Sequence, residues 1–187
     1  MDGAFGFRNG TQLSKLIDET STLTRELDCC GHRTAVAALL RLALPHVNLL
    51  HDDSIPINEH GYSRQMIYTD PDGKFSVLAI RWTPGARTPI HGHNAWGCVG
   101  VLEGEVGCET FAHKTNGNGP CVEHVPDLVS TGKILAGPGT VASVDPDPCG
   151  IHSLFNPTNA PATTLHIYGM DLLERPEGLN KWYQHQH

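Results

Sequence analysis

Residues 84–104 read PGARTPIHGHNAWGCVGVLEG, and this segment carries the strongest evidence for the fold. His91 and His93 are separated by one residue in a predicted β-strand, and side chains at positions i and i+2 of a strand point to the same face. Two imidazoles on one face can bind a single metal ion. A third nitrogen must come from elsewhere, and the candidate is His152 in the later predicted strand CGIHSLFN (149–156). Three neutral imidazoles suit Zn, Cu, Fe or Ni.

The chain divides into a helical beginning and a longer β-rich part. Leucine and alanine at helical spacing predict two helices over 11–27 and 32–50, with a break at Cys29-Cys30-Gly31, and residues 1–55 are interpreted as a helical cover. Short β-rich runs separated by turn residues fill 60–170, with no helices between them, which predicts a mainly β, antiparallel barrel or sandwich. Residues 171–187 are interpreted as an irregular surface tail of this single domain.

The composition argues against several function classes. The 187 residues include 13 Lys and Arg against 20 Asp and Glu, a formal charge of −7, and the pI is near 5.9. A nucleic-acid or anionic-membrane partner is therefore not expected. No apolar run approaches the ~20 residues of a membrane span, and no secretory signal is visible. The six cysteines include no CxxC pair, which favours free thiols in a reducing, cytoplasmic compartment.

The histidine pair and its glycines resemble the first metal-binding motif of the cupins. This resemblance implies a cupin-type antiparallel β-barrel, jelly-roll-like, with a helical N-terminal segment. The cupin motif normally carries a glutamate four or five residues after the second histidine, where this chain has Gly97 and Cys98. The matching positions are Gly85, His91, His93 and Gly104, with a looser match of Pro138-Gly139-Thr140, His152 and Asn156 to the second cupin motif.

Loss of that glutamate separates the thiol dioxygenases from other cupins, and further elements resemble the cysteine dioxygenase type I family. YSR (62–64) is similar to its Tyr-x-Arg element, and TLHIYG (164–169) to its Ser-x-His-x-Tyr element, with threonine in place of serine. DGKFSVLAIRW (72–82) is similar to the strand before the metal motif. The resemblance covers roughly residues 60–170.

The resemblance implies a reaction and a role for each site residue. His91, His93 and His152 would bind Fe(II), the thiolate of a small substrate would coordinate the iron, and both atoms of O2 would pass to sulfur to give a sulfinate. Arg64 would hold the substrate carboxylate beside Tyr62. The catalytic residues would be Tyr168, His166, which holds the tyrosine, and Thr164, which retains the hydroxyl of the family's serine.

Several alternatives stay open from the sequence. Cysteine is the favoured substrate, with 3-mercaptopropionate and mercaptosuccinate as alternatives, and Arg87 and Arg175 compete with Arg64 for the carboxylate. Cys98 either forms a thioether cross-link with Tyr168, as in animal cysteine dioxygenases, or is a buried free thiol.

Other classes of function also remain. The first is a non-catalytic cupin module that binds a small acid. The second is a cupin enzyme that uses another metal. The tryptophans Trp82 and Trp96 are interpreted as core residues rather than site residues.

Overall fold

Two helices and a short 3-10 helix precede ten β-strands in the computed structural model, which describes residues 11–27, 29–49, 52–113 and 128–183, the side chains of Cys29 and Cys30 excepted. The helices are α1 (Thr11–Glu26) and α2 (Cys29–Ala43), followed by the 3-10 helix Leu44–His46. The strands are β1 (Tyr62–Thr69), β2 (Ser76–Trp82), β3 (His91–His93), β4 (Gly97–Glu103), β5 (Val106–His113), β6 (Leu128–Ala136), β7 (Val141–Val144), β8 (His152–Phe155), β9 (Ala162–Tyr168) and β10 (Asn180–Trp182).

The strands form two antiparallel sheets of five strands each. The first sheet has the order β1-β2-β9-β4-β7, and the second has the order β10-β3-β8-β5-β6. Their inner faces pack together, because Ile80, Trp82 and Val101 of the first sheet share one apolar cluster with Val106 and Leu154 of the second. The mainly β, cupin-type prediction is confirmed. The described strands form a jelly-roll-like double sheet and not one continuous closed barrel.

The helices cover the outer face of the first sheet. Leu13, Leu16 and Leu40 are fully or almost fully buried in one cluster with Leu165 and Ile167 of β9. Alternate residues of β9 therefore face the helices, and the residues between them face the second sheet. This alternation decides which side chains of β9 reach the interior of the double sheet.

Two predictions about element boundaries were wrong. The expected break at Cys29–Gly31 lies inside the first turn of α2. Glycine there costs about 1 kcal/mol relative to alanine, which the burial of Val36 and Leu40 on the same helix offsets. The expected irregular tail contains β10, which pairs with β3, while residues 184–187 lie outside the described residues. Among the described residues, no helix is long and apolar enough to cross a membrane.

Candidate metal centre and active site

The structure brings His91, His93 and His152 together at the centre of the second sheet. His91 and His93 lie on β3, and His152 is the direct partner of His91 on the neighbouring strand β8. Each residue offers one nitrogen, and these atoms lie within 4.8 Å of one another. The ring centroids are 4.6 to 5.1 Å apart. All three residues are buried, so the nitrogens converge away from bulk water.

Backbone carbonyls orient two of the three rings. The Nδ1 atom of His91 lies 2.9 Å from the carbonyl oxygen of Pro89, and that of His152 lies 2.7 Å from the oxygen of Gly150. A carbonyl oxygen only accepts, so each Nδ1 carries the hydrogen and each Nε2 keeps a lone pair for a metal. The third ring differs: Nδ1 of His93 has no hydrogen-bond partner of standard geometry among the described residues, although Asn180 lies opposite it.

Burial keeps these imidazoles neutral. It lowers the pKa of His91 well below its ordinary 6.5, and repulsion from His152 and His93 lowers it further. Burial and the neighbouring His152 lower the pKa of His93 to about 3, although the contact with Asn180 opposes the shift. Burial also lowers the pKa of His152. Neutral imidazole is the form that binds a metal, so the residues present fit a divalent ion such as Fe(II).

Thr164, His166 and Tyr168 form a hydrogen-bonded row on the inner face of β9, which we call the polar row. The Oγ1 atom of Thr164 lies 2.7 Å from Nε2 of His166, and Nδ1 of His166 lies 3.0 Å from the hydroxyl of Tyr168. The ring of Tyr168 lies 5.2 Å from that of His93, so the row ends at the metal-ligand cluster. Burial lowers the pKa of His166 to about 3 and raises that of Tyr168 to about 12. Both groups are therefore neutral at ordinary pH.

Arg64 and Tyr62 lie at the mouth of the same site. They line both an inner cavity of about 230 Å³, which also contains His91, His166 and Tyr168, and an outer cavity of about 820 Å³. The guanidinium of Arg64 lies 5.5 Å from the centroid of the Tyr62 ring, and its Nη2 donates to the Tyr62 hydroxyl at 3.5 Å. Among the described residues, no carboxylate pairs with Arg64. Its positive charge is thus free to bind an anionic group of a ligand.

Gly97 occupies a position where many cupins have an acidic ligand, and the structure gives a physical reason for glycine there. A Cβ at this position would lie 2.7 Å from Cε1 of Tyr168, closer than carbon atoms approach. Gly97 is the direct partner of Tyr168 in the β4–β9 pair. The ring of Tyr168 therefore fills the space that a side chain at position 97 would need.

Cys98 lies on the opposite face of β4 and is not brought to Tyr168. Its partner on β9 is Ile167, and both side chains belong to the cluster under the helices. The Sγ atom is 3.4 Å from the carbonyl oxygen of Arg33, and burial raises the pKa of the thiol to about 12. The cross-link alternative from the sequence is therefore corrected to a buried free thiol, since successive strand residues point to opposite faces.

We expect the intact mass of the purified protein to equal that of its full sequence, with no thioether between Cys98 and Tyr168. Denaturing mass spectrometry checks this, with Cys98→Ser and Cys108→Ser as matched variants. A deficit of about two hydrogens that disappears only in Cys98→Ser would contradict the placement of this thiol.

The contacts that support β3, the strand of His91 and His93, from behind were not predicted from the sequence. Asp147 lies against Gly92, where a Cβ would come within 2.7 Å of its Oδ1. Its backbone N–H donates to the carbonyl of His93 at 2.7 Å. Its carboxylate accepts from Lys181 at 2.7 Å and from the hydroxyl of Tyr183. These contacts hold β3 between β8 and β10, and no periodic pattern in the sequence signals them.

The double-sheet fold is of the cupin type, and three neutral imidazoles on two neighbouring strands of its second sheet form a candidate metal site. The chain belongs to the cysteine dioxygenase type I family, because the model of that family matches residues 55–172, more than half of the chain.

Solved structures similar to this chain include a sugar phosphate isomerase of the cupin superfamily from Silicibacter pomeroyi, with 25% identity over 58% of this chain and a TM-score of 0.42. This chain covers 59% of that isomerase. A cupin superfamily protein from Desulfitobacterium hafniense is 15% identical over 63% of this chain and 84% of its own, with a TM-score of 0.43. An oxalate oxidase bound to the substrate analogue glycolate is 17% identical over 60% of this chain and 53% of its own, with a TM-score of 0.44.

Proposed function

We propose that this protein is a non-haem Fe(II) thiol dioxygenase that adds both atoms of O2 to the sulfur of a small carboxylated thiol, with cysteine as the favoured substrate and cysteine sulfinate as the product. The observation that carries the proposal is the cluster of three neutral imidazoles beside the inner cavity. One of them, His91, lines that cavity together with the neutral phenol of Tyr168 and with Arg64, which has no acidic partner among the described residues. The reaction balances without a further reductant, since the sulfur supplies all four electrons that O2 takes up.

The proposed metal ligands are His91, His93 and His152. A bound Fe(II) would supply positions for thiolate and O2 and a positive charge that depresses the pKa of the thiol. Three neutral ligands leave that charge at +2, whereas a glutamate ligand would reduce it. The substitution of glutamate by Gly97 therefore suits an anionic sulfur ligand.

Arg64 is proposed to bind the substrate carboxylate. Its planar guanidinium can donate two parallel hydrogen bonds to a carboxylate, and Tyr62 supports it from one side. Arg87, one of the competing arginines, already pairs with Glu109 at 3.2 Å and stacks on Phe155 at 4.4 Å. Arg64 is consequently the better partner for an incoming anion.

The size and charge of the inner cavity support cysteine over larger or more acidic thiols. About 230 Å³ suits a molecule of amino-acid size rather than a drug-sized one. Glu177 also lines this cavity, so the second carboxylate of mercaptosuccinate would meet a like charge, whereas the ammonium of cysteine would meet an opposite one. 3-Mercaptopropionate has neither group and is the runner-up substrate. The cytoplasmic location expected from the cysteine pattern stays part of this proposal.

Oxygen consumption by the Fe(II)-loaded protein tests the proposal. Cysteine, 3-mercaptopropionate, mercaptosuccinate and cysteamine are offered in turn, and products are examined for a mass gain of two oxygen atoms. We expect uptake and a sulfinate product with cysteine at the highest kcat/KM. If iron stays bound and no thiol consumes O2, the dioxygenase proposal fails, and a non-catalytic module that binds small acids becomes the better interpretation.

Replacing Tyr168 with phenylalanine is expected to slow oxygenation by about 10- to 100-fold while thiol affinity changes less than about twofold. The phenol is neutral and its ring lies 5.2 Å from that of His93, so loss of the hydroxyl removes a hydrogen-bond donor beside the proposed reacting atoms. Steady-state kcat and KM at saturating O2, with single-turnover rates, separate the two effects. Tyr68→Phe is the matched control, since Tyr68 packs on Phe75 outside the site. Unchanged oxygenation in Tyr168→Phe would remove this residue from the mechanism.

A further inference from the structure

Trp82 lies at the end of the polar row that is farther from the metal ligands. Its side chain is fully buried, and its indole Nε1 lies 2.9 Å from Oγ1 of Thr164. From the sequence, Trp82 was predicted to be a core residue with no role in the site. An indole N–H, however, donates a hydrogen bond and cannot accept one. The row therefore begins with a group whose direction is chemically fixed.

The fixed donor determines what the Thr164 hydroxyl does. This oxygen accepts from Trp82, and its remaining contact among the described residues is Nε2 of His166 at 2.7 Å. If that nitrogen also donated, the hydrogen of the Thr164 hydroxyl would have no acceptor. A buried donor without a partner costs about 1–3 kcal/mol. The arrangement that satisfies every group has Thr164 donating to Nε2.

The same reasoning extends along the row to the phenol. A neutral imidazole carries one N–H, so an Nε2 atom that accepts leaves the hydrogen on Nδ1 of His166. That N–H donates to the Tyr168 hydroxyl oxygen at 3.0 Å. The hydrogen of the phenol then points away from His166, and Tyr168 lines the inner cavity.

We infer that Trp82 is a positioning residue that sets the direction of every hydrogen bond in the polar row, so that Tyr168 presents a hydrogen and not a lone pair to the inner cavity. A phenol held in this way stabilises negative charge that develops on an oxygen or sulfur atom beside it. Only this last consequence rests on the proposed function. The hydrogen-bond direction itself is a property of the folded chain.

The tautomer of His166 tests the inference without any measurement of activity. Two-bond proton–nitrogen NMR correlations on the full-length, metal-free, ¹⁵N-labelled protein distinguish a protonated imidazole nitrogen from an unprotonated one, and the spectrum of His166→Gln assigns the signal. We expect one dominant tautomer with the hydrogen on Nδ1. The zinc-loaded protein, which is diamagnetic, should give the same result. A dominant Nε2–H tautomer in the metal-free protein would overturn the inference.

Variants test whether Trp82 acts through the row. Trp82→Phe keeps an aromatic ring but removes the N–H, and we expect it to produce a mixture of the two His166 tautomers. Trp96→Phe is the matched control, because it removes a second indole, partly buried, that makes no contact with Thr164 among the described residues. The tautomer should not change in this variant. Thr164→Val should also give a mixture of the two His166 tautomers. Thr164→Ser retains the hydroxyl and should keep the Nδ1–H tautomer.

A double-mutant cycle gives the second readout, and the tautomer of His166 in Thr164→Val still tests the row if Trp82→Phe is poorly folded. For the iron-loaded protein, Thr164→Val and Trp82→Phe should each lower kcat by about tenfold, the effect of one lost neutral hydrogen bond. The double variant should be no slower than Thr164→Val alone, since Trp82 acts through the threonine. Multiplying effects would mean that Trp82 acts independently and would overturn the inference. If no thiol is a substrate, the proposed function fails while the tautomer result still stands or falls alone.

Discussion

His152→Ala is expected to lose its metal and all measurable thiol-dependent oxygen uptake. The variant removes one of three imidazoles whose ligand atoms lie within 4.8 Å of one another, and two imidazoles without a carboxylate are a poor site for Fe(II). Removal of outer hydrogen-bond partners alone lowers metal affinity by about 10- to 100-fold, so loss of a direct ligand should exceed about 100-fold. Iron content by atomic emission, and oxygen uptake on the same sample, measure both effects.

His46→Ala is the matched control, because His46 lies exposed on the 3-10 helix that follows α2. A second variant, His152→Asp, tests the charge of the site separately from its ability to hold the metal. Two histidines and one carboxylate bind non-haem Fe(II) in other enzymes, so iron should be partly retained. The site charge then falls by one, and thiolate binding should weaken. A His152→Ala protein that is full of iron and turns over normally would contradict the ligand assignment.

The two-residue repeat of a strand was sufficient to predict that His91 and His93 share a face and that the residues of the polar row do, whereas His152 was included among the ligands through the resemblance to a known family. His91 and His93 share a face for that reason, and so do Thr164, His166 and Tyr168. The same repeat explains why Cys98 could not be placed from the sequence. A shift of one position moves a side chain to the other face of the sheet, and only the β4–β9 register shows that Gly97 and not Cys98 opposes Tyr168.

Other features depend on contacts between distant segments, which a single sequence does not encode in any local pattern. Trp82 resembles an ordinary core aromatic, and its role follows only from its diagonal position relative to Thr164 across the β2–β9 pair. β10 is only three residues long, has no alternating pattern and is stable only because it pairs with β3. The ring of Trp182 in β10 lies 5.3 Å from that of His91. A segment predicted to be a surface tail therefore contacts the histidine cluster.

Arg64→Ala is expected to lower kcat/KM for cysteine and 3-mercaptopropionate by about 10- to 150-fold and to change that for cysteamine by less than about twofold. The guanidinium has no acidic partner among the described residues, and hydrogen bonds to charged groups are worth about 1.5–3 kcal/mol, where each 1.4 kcal/mol is a factor of ten. The loss should lie mainly in KM, because the carboxylate is bound equally before and during oxygenation. Initial rates of oxygen uptake across a range of thiol concentrations measure it.

Matched arginine variants decide whether the effect belongs to carboxylate recognition. Arg81→Ala removes a partly buried arginine of β2 that pairs with Asp53, and it should leave kcat/KM for every thiol unchanged. Arg64→Lys keeps the charge but not the planar fork, so it should recover only part of the lost affinity. Equal losses for cysteine and cysteamine in Arg64→Ala would mean that Arg64 has a structural role. A selective loss in Arg87→Ala instead would move carboxylate binding to that residue, despite its ion pair with Glu109.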